Sequence, residues 1–235
     1  ANGTITVNAG GELTATDVQT GTNNNVISLT TTAGDINGVG TISAINGVTG
    51  TATGTSNVNI VSAGSVLDDG LSVTVISANN LGIDAPTGNV DIDTSITSSN
   101  IVANDAYIDE TNNVILDEFS VKTLDLEAGG SVTDSDVDDD KLSSINVSRS
   151  TKVVAGNNVI LNDDENVFGG LDITAVNKAI IRENDGVSGI VKAKSLQVQG
   201  TTGITLKDGT TVSSFAAKSD SGDIDLDNAG GLAID

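Results

Sequence analysis

The residues of this chain that could do chemistry are carboxylates. The densest run is Asp134-Ser135-Asp136-Val137-Asp138-Asp139-Asp140-Lys141. Alternate aspartates (Asp134, Asp136, Asp138 and Asp140) place several hard oxygen donors on one loop, the donor type that Ca2+ takes. The run opens like an EF-hand loop, then departs from it. Asp139 stands where the turn glycine belongs, and Ile145 where the bidentate glutamate belongs. Asn162-Asp163-Asp164-Glu165-Asn166 and Asp68-Asp69 are weaker versions of the same pattern. The expectation is a calcium site at 134–140, weighed against a solvated acidic loop; no other cofactor is expected.

Paired carboxylates could also cleave glycosidic bonds, given a fixed separation and groups that hold sugar. The groups that hold sugar are scarce here. Aromatic residues are Tyr107, Phe119, Phe168 and Phe215, and the only arginines are Arg149 and Arg182. The chain has no His and no Cys. It therefore lacks the commonest general base and any thiolate nucleophile or metal ligand. A polysaccharide-degrading enzyme is the least favoured reading, and no catalytic residue is assigned.

Charge narrows the partners. Thirty-two acids against 10 bases give a formal charge of −22. No Lys or Arg precedes Lys122, so residues 1–121 are acidic without compensation. Such a surface repels nucleic-acid phosphates and anionic lipid. No apolar stretch is long enough to span a membrane as a helix. The expected setting is secreted or at a cell surface, in a saline or calcium-rich medium and of bacterial origin.

The elements that must carry these residues are strands. Short runs alternate apolar and polar residues: Thr4-Ile5-Thr6-Val7, Leu71-Ser72-Val73-Thr74-Val75, Asp91-Ile92-Asp93, Leu124-Asp125-Leu126, Leu171-Asp172-Ile173, Leu196-Gln197-Val198, Ile204-Thr205-Leu206 and Ile224-Asp225-Leu226. Period two marks a strand with one buried face. Gly, Asn and Asp clusters such as 8–11 and 127–130 punctuate the runs as turns. Residues 174–182 could be read as helix, but their neighbours favour a strand. With aromatics at 2%, the core must be Val, Ile, Leu and Ala. Small branched side chains suit a narrow interior in which one position recurs layer after layer.

Repetition fits that interior. Asn or Gly followed by Val or Ile recurs at Asn25-Val26, Asn57-Val58, Asn89-Val90, Asn113-Val114, Asn158-Val159 and Gly203-Ile204. The steps are 32, 32, 24, 45 and 45 residues (58 − 26, 90 − 58, 114 − 90, 159 − 114, 204 − 159). Ala-Gly-(Gly)-Ser-Val recurs at 63–66 and 128–132, and Gly-Asp-Ile at 34–36 and 222–224. With coils of roughly 20–25 residues, 45 reads as two coils and 32 as one coil with an outward loop. The fold expected is all-β: a parallel β-helix over residues 1–235 as one elongated domain, with an acidic loop insertion near 134–141. A β-sandwich is the runner-up.

Gly3-Thr-Ile-Thr-Val-Asn-Ala-Gly-Gly11, Ile27-Ser-Leu-Thr-Thr-Thr-Ala-Gly-Asp-Ile36 and Ser221-Gly-Asp-Ile-Asp-Leu-Asp-Asn-Ala-Gly-Gly231 resemble repeats of filamentous haemagglutinin-like exoproteins. The resemblance implies a right-handed parallel β-helix (β-solenoid) shaft and a role in adhesion, aggregation or surface coating. Its motifs supply scaffold positions only, so no functional residue carries over. The function expected is an extracellular structural protein of a filament, sheath or surface layer, assembling with its own copies by end-to-end β stacking. The alternative is the shaft of a large adhesin, with a cell-surface glycan or protein as ligand.

Overall fold

The structure, a computed structural model, describes residues 3–20, 25–44, 56–71, 73, 75–135 and 144–234. Every regular element among them is a β-strand, and the strand pairs are parallel. The strands stack as a β-solenoid, and the coils fall into two compact units, 1–114 and 115–235, with about 11 turns in all. The β-sandwich alternative is set aside, because a sandwich is built from antiparallel pairs.

In the first unit three ladders define the coil. One stacks strands Ile5–Ala9, Val26–Thr31, Asn57–Val61, Asn80–Ala85 and Ser98–Ala103 in turn. Its inward column runs Val7, Leu29, Ile60, Ile83 and Ile101. A second carries Leu13, Ile36, Val66, Val90 and Ala106 in register. The third carries Val18, Ile42 and Ile76, and then becomes polar at Thr94 and Glu110. Alternation of burial along Asn57–Val61 and Asn80–Ala85 follows directly from the pleat.

The second unit follows the same rule. Leu126, Val153, Ile173 and Val191 form one column. Val132, Val159, Ala179, Leu196 and Phe215 form another. The latter gives coil lengths of 27, 20, 17 and 19 residues (159 − 132, 179 − 159, 196 − 179, 215 − 196). Strands Leu171–Ala175 and Lys178–Glu183 occupy the segment open to a helical reading. Phe119, Phe168 and Phe215 are buried, whereas Tyr107 points outward from Asp105–Glu110.

Two expectations are corrected. The evenly spaced Asn-Val copies do not form one column. The first two lie on paired strands one residue out of register, with Val26 beside Asn57, so that step spans one coil, whereas Val90 lies over Val66 and Val159 over Val132, in other ladders. The 45-residue step is therefore not two coils: two coils above Val159 comes Leu196, while Ile204 belongs with Val187 and Ile224. The spacings repeat because similar corners recur, not because the coil has a constant length. Likewise Leu71 and Val73 lie outside strands and are exposed, despite their alternation. Asp68 and Asp69 accept the amides of Gly70 and Leu71, which turns the chain outward before the ladder resumes at Ile76. Alternation specifies a strand only where a partner lies alongside.

The recurring motifs do have a structural meaning. The Ser65 hydroxyl accepts the amide of Asn89 at 3.1 Å, and the Ser131 hydroxyl accepts that of Asn158 at 3.3 Å. The Ser of each Ala-Gly-(Gly)-Ser-Val turn thus holds the Asn of the next coil's Asn-Val. Asn80 similarly donates to Asn57 and accepts from Ser98. Pro86 sits in a turn closed by Gly88 N–H donating to Ala85 C=O. Stacked turns approach so closely that a β-carbon on Gly88 would overlap the Gly64 carbonyl, and one on Gly156 the Gly129 carbonyl. Gly156→Ala is accordingly expected to cost about 1–3 kcal/mol, as overpacking against rigid backbone does. Gly170→Ala, where a β-carbon meets only ordinary contact, should be neutral or slightly stabilising through the unfolded chain. Urea unfolding of the two variants checks the contrast.

Candidate functional site

Three carboxylates are buried among the described residues: Glu110, Asp134 and Glu183. Each is the last residue of its strand, Asp105–Glu110, Val132–Asp134 and Lys178–Glu183. Each shares strand parity with buried aliphatics, so the pleat turns it inward: Glu110 follows Ala106 and Ile108, Asp134 follows Val132, and Glu183 follows Ala179 and Ile181. An unpaired buried carboxylate is costly, so each must find donors or a proton.

Glu110 finds donors. Its Oε2 accepts the Thr94 hydroxyl at 2.8 Å and the Ile96 amide at 3.1 Å, and its Oε1 accepts the Asn112 amide at 2.8 Å. Burial raises its pKa and these bonds hold part of the rise back. The side chain fastens the end of its own strand to the preceding coil.

Asp134 and Glu183 belong to a corner of the second unit that Asn166 organises. Asn166 is fully buried. Its Oδ1 accepts the Ile145 amide at 3.0 Å, and its Nδ2 donates to Asp134 Oδ2 at 2.8 Å. The Asp163 amide donates to the same Asp134 oxygen at 2.8 Å. One coil on, the Asn184 amide donates to the Asn166 carbonyl, and Glu183 Oε1 accepts the Phe168 amide at 2.9 Å. Asp134 Oδ1 and Glu183 Oε2 are buried without a partner. Desolvation raises both pKa values. That of Asp134 is restrained by its amide donors, whereas that of Glu183 rises to about 7, with Asp185 adding to it. Near neutrality Glu183 is therefore in large part a carboxylic acid.

This corner can hold backbone amides and a proton. It does not present a solvent-facing set of oxygens. Asp134 of the expected calcium loop faces inward, with one oxygen engaged by two N–H donors. Asp136, Asp138 and Asp140 lie outside the described residues. The 162–166 run is drawn into the same wiring: Asp163 Oδ1 accepts the Glu165 amide, and Asp164 pairs with Arg182 at 3.0 Å. Among the described residues no three His, Cys, Asp or Glu side chains converge to hold a metal. Glu110 and Glu183 escaped the sequence reading, although their parity with neighbouring aliphatics was a usable signal.

A second feature is electrostatic. Asp93 stacks on Asp109, one rung apart, in a unit that has no Lys or Arg before Lys122. Burial, then Asp68 and Asp109, raise the pKa values of both Asp91 and Asp93. In the second unit the equivalent stack alternates: Lys152 pairs with Asp125 at 2.9 Å and lies in register with Asp172.

No known protein family, characterised protein or solved structure matches this chain. The fold is that of β-helix repeat proteins.

Glu183 generates a pH dependence. Its folded pKa lies above the ordinary 4.5, so the unfolded chain loses this proton first as pH rises. Stability is full below about 4.5, falls as pH climbs towards about 7, and is then level. The loss from this group is at most about 3 kcal/mol. Glu183→Gln, which keeps an acceptor for the Phe168 amide, should flatten that part of the profile; urea unfolding between about pH 5 and 7.5 measures it. On the acidic face, Asp93→Asn should raise the thermal midpoint at low salt. The gain should shrink towards about 1 M NaCl, where screening is nearly complete.

Proposed function

We propose that this chain is an extracellular structural protein, part of a filament, sheath or surface layer, and that it carries no catalytic role. The observation that supports this reading is where the interior polar side chains spend their hydrogen bonds. Glu110, Asp134, Asn166, Glu183, Thr210 and Asn228 each accept a backbone amide from a neighbouring coil or turn. Each such bond ties a coil to its neighbour and fixes its register. Such a layout suits a load-bearing repeat, in which stability is a sum of coil and interface terms.

The turn and strand style resembles that of filamentous haemagglutinin-like bacterial exoproteins, which supports reading the chain as a surface protein of that kind. Self-assembly would use strand edges. Ile224–Asn228 pairs on one side with Ile204–Ser219, and its Ile224 and the nearby Ile234 are exposed. Unpaired N–H and C=O groups on a strand edge are a template for another chain. A second copy adding a parallel ladder there would extend the stack head to tail.

Electron microscopy of the purified chain in calcium-containing buffer tests this. Fibres with a regular axial repeat are expected. Separate particles at all concentrations would overturn self-assembly and leave the adhesin-shaft reading. Antibody labelling of intact producing cells tests location; signal only after permeabilisation would overturn the extracellular assignment.

A further inference from the structure

The second unit carries a groove of about 410 Å³ on the outward face of its sheet. Its walls are two rows that run across the strands. Ile180, Gln197 and Ala216 occupy successive rungs of one row, and Arg182, Gln199 and Lys218 the same rungs of the other. In a chain of net charge −22, the lining holds two cations and no carboxylate. Arg182 and Lys218 do have anionic partners, Asp164 at 3.0 Å and Asp220 at 2.8 Å, but both pairs are substantially exposed. Exposed pairs contribute little and exchange readily for a better-matched anion.

We propose that this groove binds a linear glycan bearing a carboxylate on alternate residues. Three features select that chemistry. Arg182 and Lys218 stand two rungs apart, about 10 Å at the strand spacing, which suits carboxylates on every second sugar of an extended chain. Gln199 between them, and Gln197 opposite, offer carboxamide donors and acceptors for ring hydroxyls. Ile180 and Ala216, on either side of Gln197, give apolar surface for sugar C–H faces. The Arg182 guanidinium adds a planar fork suited to a carboxylate. A densely sulfated chain would meet the repulsion of the rest of the surface. A peptide is disfavoured because the central floor strand, 195–200, is paired on both sides and can accept no added strand. The site goes beyond the structural role proposed above and does not depend on self-assembly: a chain that forms no fibres can still bind.

Calorimetric titration of the full chain with hyaluronan octasaccharide, which alternates N-acetylglucosamine with glucuronic acid, tests the proposal. Saturable binding is expected. Arg182→Gln and Lys218→Gln should each weaken it roughly tenfold, as loss of a charged hydrogen bond does. Ala216→Glu, which places a carboxylate in the groove, should abolish it. Lys152→Gln, which removes an exposed cation outside the groove, should leave it unchanged. No saturable binding, or equal weakening by Lys152→Gln, overturns the site. Equal binding of neutral chito-oligosaccharide, tighter binding of a heparin fragment, or equal competition by polyglutamate overturns the alternating-uronate assignment.

Discussion

The parallel in-register ladder is the constraint on which everything else depends. Each coil must place its backbone N–H and C=O groups against those of the next, one strand spacing away. Register then decides which side chains meet, and it makes like meet like. Ile27 lies under Val58, Ile92 beside Ile108, and Asn57 beside Asn80. For aliphatics this repetition is favourable, because each inward column becomes a continuous apolar stack with no edge inside it. For amides it is favourable too, since a carboxamide can donate to one neighbour and accept from the other. For charges it is not, and the two units handle that differently. The first sets Asp93 over Asp109, whereas the second interleaves Lys152 between Asp125 and Asp172.

A ladder also creates its own difficulty at the corners. Where the chain turns between faces, amides leave the ladder and need acceptors. The structure supplies them from side chains that the pleat points inward at strand ends. That explains why carboxylates are buried beside the aliphatic columns of so acidic a chain. Glu110 meets three donors and replaces the aliphatics of its own column, Ile42 and Ile76. Glu183 meets one amide, leaves an oxygen unpartnered, and burial raises its pKa to about 7. The same structural task thus leaves burial opposed by several donors at Glu110 and by one at Glu183.

The sequence made the strands legible because alternation is a local signal: Asp91-Ile92-Asp93, Leu171-Asp172-Ile173 and Leu196-Gln197-Val198 all lie in strands. Stacking is not local, and here the reading failed. Asn25-Val26 and Asn57-Val58 look like one repeat, yet the register pairs Val26 with Asn57. Leu71 and Val73 alternate as well as any strand, but they lie outside the strands and are exposed. The acidic corner was half legible. Asp134 was singled out for its charge, whereas Asn166, which donates to it, and Glu183, which accepts the Phe168 amide, come from other coils. Parity alone could have flagged Glu110 and Glu183. Composition could not, because a glutamate at a strand end reads as solvent-facing by default.

The charge asymmetry along the chain follows from the same geometry. A unit that sets Asp93 over Asp109 and has no Lys or Arg is held together against its own surface field. Its inward columns must supply that surplus: among Ile27, Leu29, Ile36, Val58, Ile60 and Val66, none is more than 1% exposed. Where lysine and arginine enter, from Lys122 on, outward columns can alternate in sign, and the sheet face can also present cations, as Arg182 and Lys218 do, each beside one exposed carboxylate. Within one repeating backbone, the first unit has no cation with which to attract an anion, and the second does. A surface that recognises an acidic partner could therefore be built only in the second half of the chain.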